Sequence, residues 1–356
     1  MNADVYRELA RRLDGFPAGA PQNPELLSIL QALFTPEEAA AALHLGAKPQ
    51  ALGRLAEAAG RPTAELGRVY EGMAGKGLLY ARKTAKETYY SLLPIFPGIF
   101  ELQFMTGERT PAKTRLAELF HHYYTAGMSR VFSPGATRFA RVIPVEREIP
   151  ARMEILDFER VSHLMGDADE FALATCYCRH EKDLLGTACA APKDVCLLFG
   201  PFARFCVDRG FARRATRADA ASALERSEAA GLIHVSDNVV DRINFLCNCC
   251  GCCCAFLRQV TEIGRANVVA VSRYVARLDE DRCTECGVCA GLCQVKAVTA
   301  DREGVRVDPG RCLGCGACVT NCPTGALKLE PRPEYTPPLA DLGQLQARIL
   351  AERGLA

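Results

Sequence analysis

An excess of either charge is the first thing this 356-residue chain lacks: 43 Lys and Arg stand against 42 Asp and Glu, a formal net charge of +1. That balance gives no overall pull toward nucleic acid or an anionic membrane surface. Long apolar runs are missing as well. The most apolar stretch, Tyr89 to Met105, is interrupted by Pro94 and Pro97 and contains Glu101, so it is too short and too broken to span a bilayer. The opening residues, MNADVYRELARRLDGF, have no apolar core of the kind a secretory signal needs, which predicts a cytoplasmic protein with reduced thiols. No G-x-G-x-x-G follows a strand, and Lys76, though preceded by glycines, belongs to no phosphate-binding loop. C-x-x-C-H, H-E-x-x-H and G-x-S-x-G are all absent. Nicotinamide or flavin chemistry, covalent haem, zinc proteolysis and serine hydrolysis therefore find no support. Cysteine, finally, is missing from the first 175 residues.

What is present is cysteine in the remainder: all nineteen lie between Cys176 and Cys322. An odd total, with adjacent runs such as Cys252-Cys253-Cys254, does not form a disulfide framework. Reduced thiols at this density read as metal ligands, because clustered free thiols are otherwise an oxidation liability.

One repeat carries the strongest signal. Cys283, Cys286, Cys289 and Cys293 recur 29 residues later as Cys312, Cys315, Cys318 and Cys322, each set spaced C-x2-C-x2-C-x3-C and the second closing on Pro323. Zinc ribbons use paired C-x2-C knuckles instead. The repeat resembles the bacterial two-cluster ferredoxins, in which the fourth cysteine of each half ligates the cluster of the other. The resemblance implies one 4Fe–4S cluster on Cys283, Cys286, Cys289 and Cys322, and a second on Cys312, Cys315, Cys318 and Cys293. Gly287, Gly314 and Gly316 would let the backbone approach the clusters closely. Gln294 stands where that family usually has proline.

Eleven cysteines remain upstream. The stretch ATCYCRHEKDLLGTACAAPKDVCLLFG, with CNCCGCCC downstream, resembles a group of anaerobe 4Fe–4S dicluster proteins with a winged-helix-like start, a Cys-rich middle and a ferredoxin module. A further cluster is expected on Cys176, Cys178, Cys189 and Cys196, and another centre on Cys247, Cys249, Cys250 and Cys253. In extended backbone Cys247 and Cys249 share a face while Cys249 and Cys250 do not. From Gly251 onward a helix is expected, with Cys252 and Cys253 in its first turn. Cys206, among Phe202, Phe205 and Val207, reads as a buried free thiol, and Cys254 is open between the two roles. Arg179 and His180 are candidates to donate hydrogen bonds to a cluster, an ordinary solvated histidine being the alternative for His180. The string His121-His122-Tyr123-Tyr124 reads as an amphipathic interface patch.

These readings predict an α+β chain of several domains. Residues 1–24 form an arm and 25–100 a winged-helix-like domain of three helices and a hairpin, with a capping box at Thr35-Pro36-Glu37-Glu38. Residues 101–170 are a connector holding a strand near Val142-Ile143-Pro144-Val145 and a short helix over Phe158–Met165. Residues 171–262 are an irregular Cys-rich α/β domain, 263–330 the two-cluster module, and 331–356 a proline-rich linker with a short helical tail. Electron transfer through a redox partner protein is the expected function, in a homo-oligomer or as a subunit of a larger oxidoreductase. A redox-sensing DNA-binding regulator and a small-molecule reductase are the alternatives. Residues 25–100 carry eight basic against seven acidic side chains, with Glu65 and Glu71 beside Arg68 on the third helix, which is a poor footprint for phosphate.

Overall fold

A computed structural model describes residues 2–128, 135–149, 159–166, 169–265 and 268–355. The amino-terminal third alternates short helices with one small sheet: α1 (Asn2–Asp14), α2 (Pro24–Leu33), α3 (Pro36–Ala42), β1 (Gln50–Ala51), α4 (Leu52–Ala59), α5 (Thr63–Gly75), β2 (Leu79–Lys83) and β3 (Thr88–Leu92). The capping box at Thr35 is formed in both directions, with Glu38 N donating to Thr35 Oγ1 and Thr35 N to Glu38 Oε2. The segment read as three helices holds four, because the alanine run after Thr35 buries Ala39, Ala41 and Ala42. β1, β3 and β2 pair antiparallel in that order. The stretch read as an arm is the helix α1, which buries Tyr6, Leu9 and Leu13.

Two further helices, α6 (Phe100–Phe104) and α7 (Pro111–Tyr123), pass behind the middle of the chain. Tyr123 is fully buried and Tyr124 Oη donates to Ala255 O at 2.9 Å, so this part of the expected interface patch is core.

The middle is built on one antiparallel sheet of six strands in the order β4 (Ala140–Ile143), β8 (Ile233–Asp237), β9 (Phe245–Cys249), β6 (Cys196–Phe199), β5 (Phe171–Ala174) and β7 (Arg213–Ala215). β4 comes from the stretch read as a connector and ends before Pro144, which has no N–H to give a ladder. The short helix expected over Phe158–Met165 is a single turn, Val161–Leu164, and Phe158 lies outside the described residues. β8 and β9 are inner strands, buried along almost their whole length although they carry His234, Ser236, Asp237 and Asn248. Helix Arg217–Ala229 opens on a second capping box, between Thr216 and Asp219.

The last unit has internal two-fold likeness. β10 (Tyr274–Leu278) pairs with β13 (Leu327–Pro331), β11 (Val298–Asp301) with β12 (Gly304–Val307), and one-turn helices at Val288–Leu292 and Ala317–Thr320 follow the cysteine loops. The tail is a full helix, Leu342–Glu352, capped by Asp341 and packed through Leu345 and Ile349.

Candidate metal centres

Apart from Cys206, the upstream cysteines sort into two groups that share Cys250, and the sorting differs from the one read in the sequence. Cys176 and Cys178 stand at the start of the Tyr177–Leu184 helix, Cys196 opens β6, and Cys247 and Cys249 project from one face of β9. Together with Cys254, from the turn after β9, these six thiols line one small enclosed cavity, and Cys250, at the end of β9, lines it as well. Alternation along β9 explains the shared face, as expected. Interaction with neighbouring thiols, Cys196 and Cys249 at Cys247 and Cys178 and Cys249 at Cys254, holds both groups well below the usual thiol range. Burial pushes Cys176 up to about 12. A nest this deep cannot ionise fully unless a cation enters it.

Arg179 is fully buried and lines the same cavity. Its Nη1 donates to Asn248 O at 3.0 Å and to Cys250 Sγ at 3.6 Å, while Nε and Nη2 are buried without a hydrogen-bond partner. Orphaned charged donors are costly in a core. Sulfides of a thiolate-held cluster are the acceptors they lack, so the donor set of the nest fits an iron–sulfur centre. Tyr177 Oη lies 3.5 Å from Cys247 Sγ, a further polar contact that the sequence reading did not foresee.

Cys189, expected with Cys176, Cys178 and Cys196, lies elsewhere: its sulfur and those of Cys250, Cys252 and Cys253 fall within 4.8 Å of one another. Cys252 thus joins a set from which it had been left out, while Cys250 also lines the nest beside Cys247 and Cys249, the neighbours expected for it. The loop after the Tyr177–Leu184 helix carries Cys189 to the end of β9, a long-range approach with no periodic signature. Residues 251–253 form a turn, and the helix expected from Gly251 begins only at Leu257. His180 is 2% exposed, yet its ring points away from the nest, pairing through Nε2 with Glu108 O at 2.9 Å. It is neither solvated nor a neighbour of the thiols. Cys206, read as a buried free thiol, is fully buried on the Gly200–Asp208 helix and lines neither thiol group.

In the carboxy-terminal unit each C-x2-C-x2-C-x3-C run folds as a loop ending on its one-turn helix. Cys283, Cys286 and Cys289 share a cavity with Cys322 from the other run. On the far side, burial and then the nearby Cys312 and Cys293 push Cys315 up to about 12. Main-chain groups point at the sulfurs: Ala297 N donates to Cys293 Sγ at 3.2 Å and Glu285 N to Cys283 Sγ at 3.4 Å. At Cys322 burial raises the thiol, but the N–H groups of Leu327, Thr324 and Ala326 and the Thr324 hydroxyl outweigh it and leave the group below its ordinary value. A Cβ on Gly314 would lie 2.0 Å from Tyr274 O, so only glycine fits there.

The 4Fe–4S binding domain family matches this unit twice in tandem, over residues 276–299 and 305–328. The chain carries two 4Fe–4S clusters. No curated protein and no solved structure matches the chain.

The ferredoxin module is joined to the middle sheet at a seam that the sequence did not reveal. Gly251, between Cys250 and Cys252, donates its N–H to Gln294 Oε1 at 2.9 Å, and a Cβ there would sit 1.9 Å from Gln294 O. Gln294 follows Cys293 directly, so the chain neighbour of a ferredoxin-repeat cysteine touches the chain neighbour of Cys250 and Cys252. The departure from proline at this position is what supplies the amide. Elsewhere on the seam Asn321 Nδ2 donates to Glu228 O at 3.2 Å and Val145 N to Cys315 O at 2.9 Å.

Proposed function

We propose that this chain is a cytoplasmic iron–sulfur electron-transfer protein or oxidoreductase subunit, in which electrons pass between the two-cluster ferredoxin module and an iron–sulfur centre in the six-thiol nest. The Gln294–Gly251 seam is the observation that carries this reading. It sets the two thiol regions in direct contact within one folded body, and no flavin or nicotinamide fingerprint competes for the role. The ligands we assign are Cys283, Cys286, Cys289 and Cys322 for one ferredoxin cluster and Cys312, Cys315, Cys318 and Cys293 for the other. Cys286 is exposed and Val288 beside it is 41% exposed, which suits the face where a redox partner protein docks.

Residues 25–100 we read as a winged helix used for packing rather than for DNA. Glu71 on α5 accepts from Arg209 Nη2 at 2.7 Å, Arg61 is paired with Glu37 and Glu65, and Tyr80 on β2 lies against Phe202 and Phe205. Glu71 and Tyr80 thereby fasten α5 and β2 to the body of the protein, while the basic Arg68, Arg82, Lys83 and Lys86 stay exposed.

The test is metal and sulfide analysis with EPR on anaerobically prepared protein. More than eight irons, with matching sulfide, are expected, and a third reducible signal that relaxes together with the ferredoxin signals. Cys322→Ala should damage the cluster of Cys283, Cys286 and Cys289 and spare that of Cys312, Cys315 and Cys318. Zinc in place of iron and sulfide in the ferredoxin runs, or two isolated clusters only, would overturn the reading.

One feature favours a second reading, catalysis at the upstream centre. A cavity of about 320 Å³, walled by Tyr80, Phe96, Phe139 and Phe202, reaches Cys196 and Cys247 of the nest. Glu101 and Asp237 also line it, and burial raises their carboxyls to about 8 and about 6. A protonated acid beside an electron source suits two-electron, two-proton reduction of an apolar small molecule. Filling the cavity with Phe202→Trp should abolish turnover with any such acceptor while leaving reduction of the clusters unchanged.

A further inference from the structure

The tight group of Cys189, Cys250, Cys252 and Cys253 differs in kind from the other thiol sites. Its sulfurs lie 3.7 Å apart between Cys189 and Cys250, 3.7 Å between Cys252 and Cys253, and 3.9 Å between Cys253 and Cys189. Four thiolates at about 2.3 Å from a single ion at a tetrahedron's centre stand about 3.8 Å from one another. A cubane, by contrast, interposes four irons and four sulfides between its cysteines and must hold them further apart. The ferredoxin runs of the same chain provide the reference. Their eight sulfurs form no group of three within 4.8 Å among the described residues, whereas the Cys189 group does. Disulfide formation does not explain the approach either, since all four cysteines are free.

We propose that Cys189, Cys250, Cys252 and Cys253 form a mononuclear tetrathiolate site for one soft divalent ion, zinc or ferrous iron, which abuts the nest through Cys250, a residue that also lines that cavity, but holds its ion apart from every iron–sulfur cluster of the chain. The spacing hides it from sequence inspection: C-G-C-C plus a distant cysteine is not the paired C-x2-C knuckle. The surroundings suit a structural ion. The turn is fixed by Gly251 N donating to Gln294 and by Thr261 Oγ1 donating to Gly251 O at 2.8 Å. Cys250 and Cys253 are buried while Cys252 is exposed, so the site is closed on the protein side and open to exchange on one edge. A bound ion would pin the Cys189 loop to the end of β9, beside the seam with the ferredoxin module.

The experiment uses the full chain, prepared anaerobically, with zinc, iron and acid-labile sulfide measured together and X-ray absorption recorded at the zinc edge. The zinc arm expects one zinc per chain with four sulfur neighbours at about 2.3 Å. The iron arm expects one iron in excess of sulfide, with a high-spin ferric signal after mild oxidation. Cys252→Ser, at an exposed position, should remove that ion or lower its affinity by more than roughly 100-fold, the upper range for loss of an outer-shell partner. Sulfide content and the ferredoxin EPR signals should stay unchanged, which also reports that the variant is folded. Should Cys252→Ser lose sulfide along with iron, the four thiols belong to a cluster and the proposal fails. It fails equally if the unmodified chain holds neither zinc nor excess iron. Neither result touches the electron-transfer reading, which rests on the ferredoxin module, the nest and the Gln294–Gly251 seam.

Discussion

Glu285 sits at φ 53°, in the left-handed region that the matching position of the second cysteine run gives to Gly314 at φ 70°. A side chain costs about 1–2 kcal/mol in that conformation, partly offset by the greater chain entropy glycine loses on folding. Glu285→Gly should therefore raise the melting temperature slightly, by an amount equivalent to about 0.5 kcal/mol, with iron content unchanged. Gly314→Ala should do the reverse, because its Cβ would strike Tyr274 O. About four irons should be lost, and the Cys283–Cys322 cluster retained. Iron analysis and calorimetry on the two variants check both outcomes. Glu181 gives a pH dependence. Burial holds its carboxyl near 7, above the ordinary value of about 4.3, although Lys182 and Arg258 pull the other way. The folded state thus keeps a proton that the unfolded chain releases, and stability falls as pH rises from about 4 to 7. Glu181→Gln should be more stable than the parent at pH 8, by on the order of 3 kcal/mol, and level with it near pH 4. Melting curves across that range would expose an error if the two stayed parallel.

Among the elements, the turn at residues 250–253 and the Cys293-Gln294 step meet across the seam. Replacing Gln294 by the proline usual in ferredoxins removes the amide that receives the Gly251 N–H. Gln294→Pro should leave iron and sulfide at parental levels while slowing electron equilibration between the ferredoxin signals and the upstream signal. Freeze-quench EPR after rapid partial reduction is the measurement, and an unchanged rate would remove the seam from the electron route. The ferredoxin repeat, the Thr35 capping box, the β2–β3 hairpin and the shared face of Cys247 and Cys249 were all legible in the sequence. Each is local, fixed by spacing, alternation or a cap within a few residues. Three features were not legible: the entry of Ala140–Ile143 into the middle sheet, the transfer of Cys189 to the Cys250 turn, and the contact of Gln294 with Gly251. All three join residues far apart in the chain, where side-chain type gives no hint of partner. His180 shows the same limit, since adjacency to Cys178 placed it near the thiols while the helix turns its ring toward Glu108.

Over the whole molecule, the ferredoxin module is fastened rather than tethered. Gly251 to Gln294, Asn321 to Glu228 and Val145 to Cys315 hold it against the middle sheet, and an isolated parallel bridge joins Arg141 to Ala270. The tail helix closes back on the start of the chain, with Arg353 Nη2 donating to Asp14 Oδ1 at 3.1 Å. No helix among the described residues is long and apolar enough to cross a membrane. At physiological salt the full chain should bind duplex DNA no more tightly than about 10⁻⁴ to 10⁻⁶ M and without sequence preference. A gel-shift selection yielding one motif bound about a thousandfold more tightly would restore the regulator. The seam has a further consequence for kinetics. Carriers that swing on a linker deliver electrons at a rate limited by friction with the solvent. A module bolted on at Gly251, where even a methyl group has no room, has no such stroke to make. Adding glycerol or sucrose should slow the bimolecular encounter with a partner and leave the internal step at its original speed.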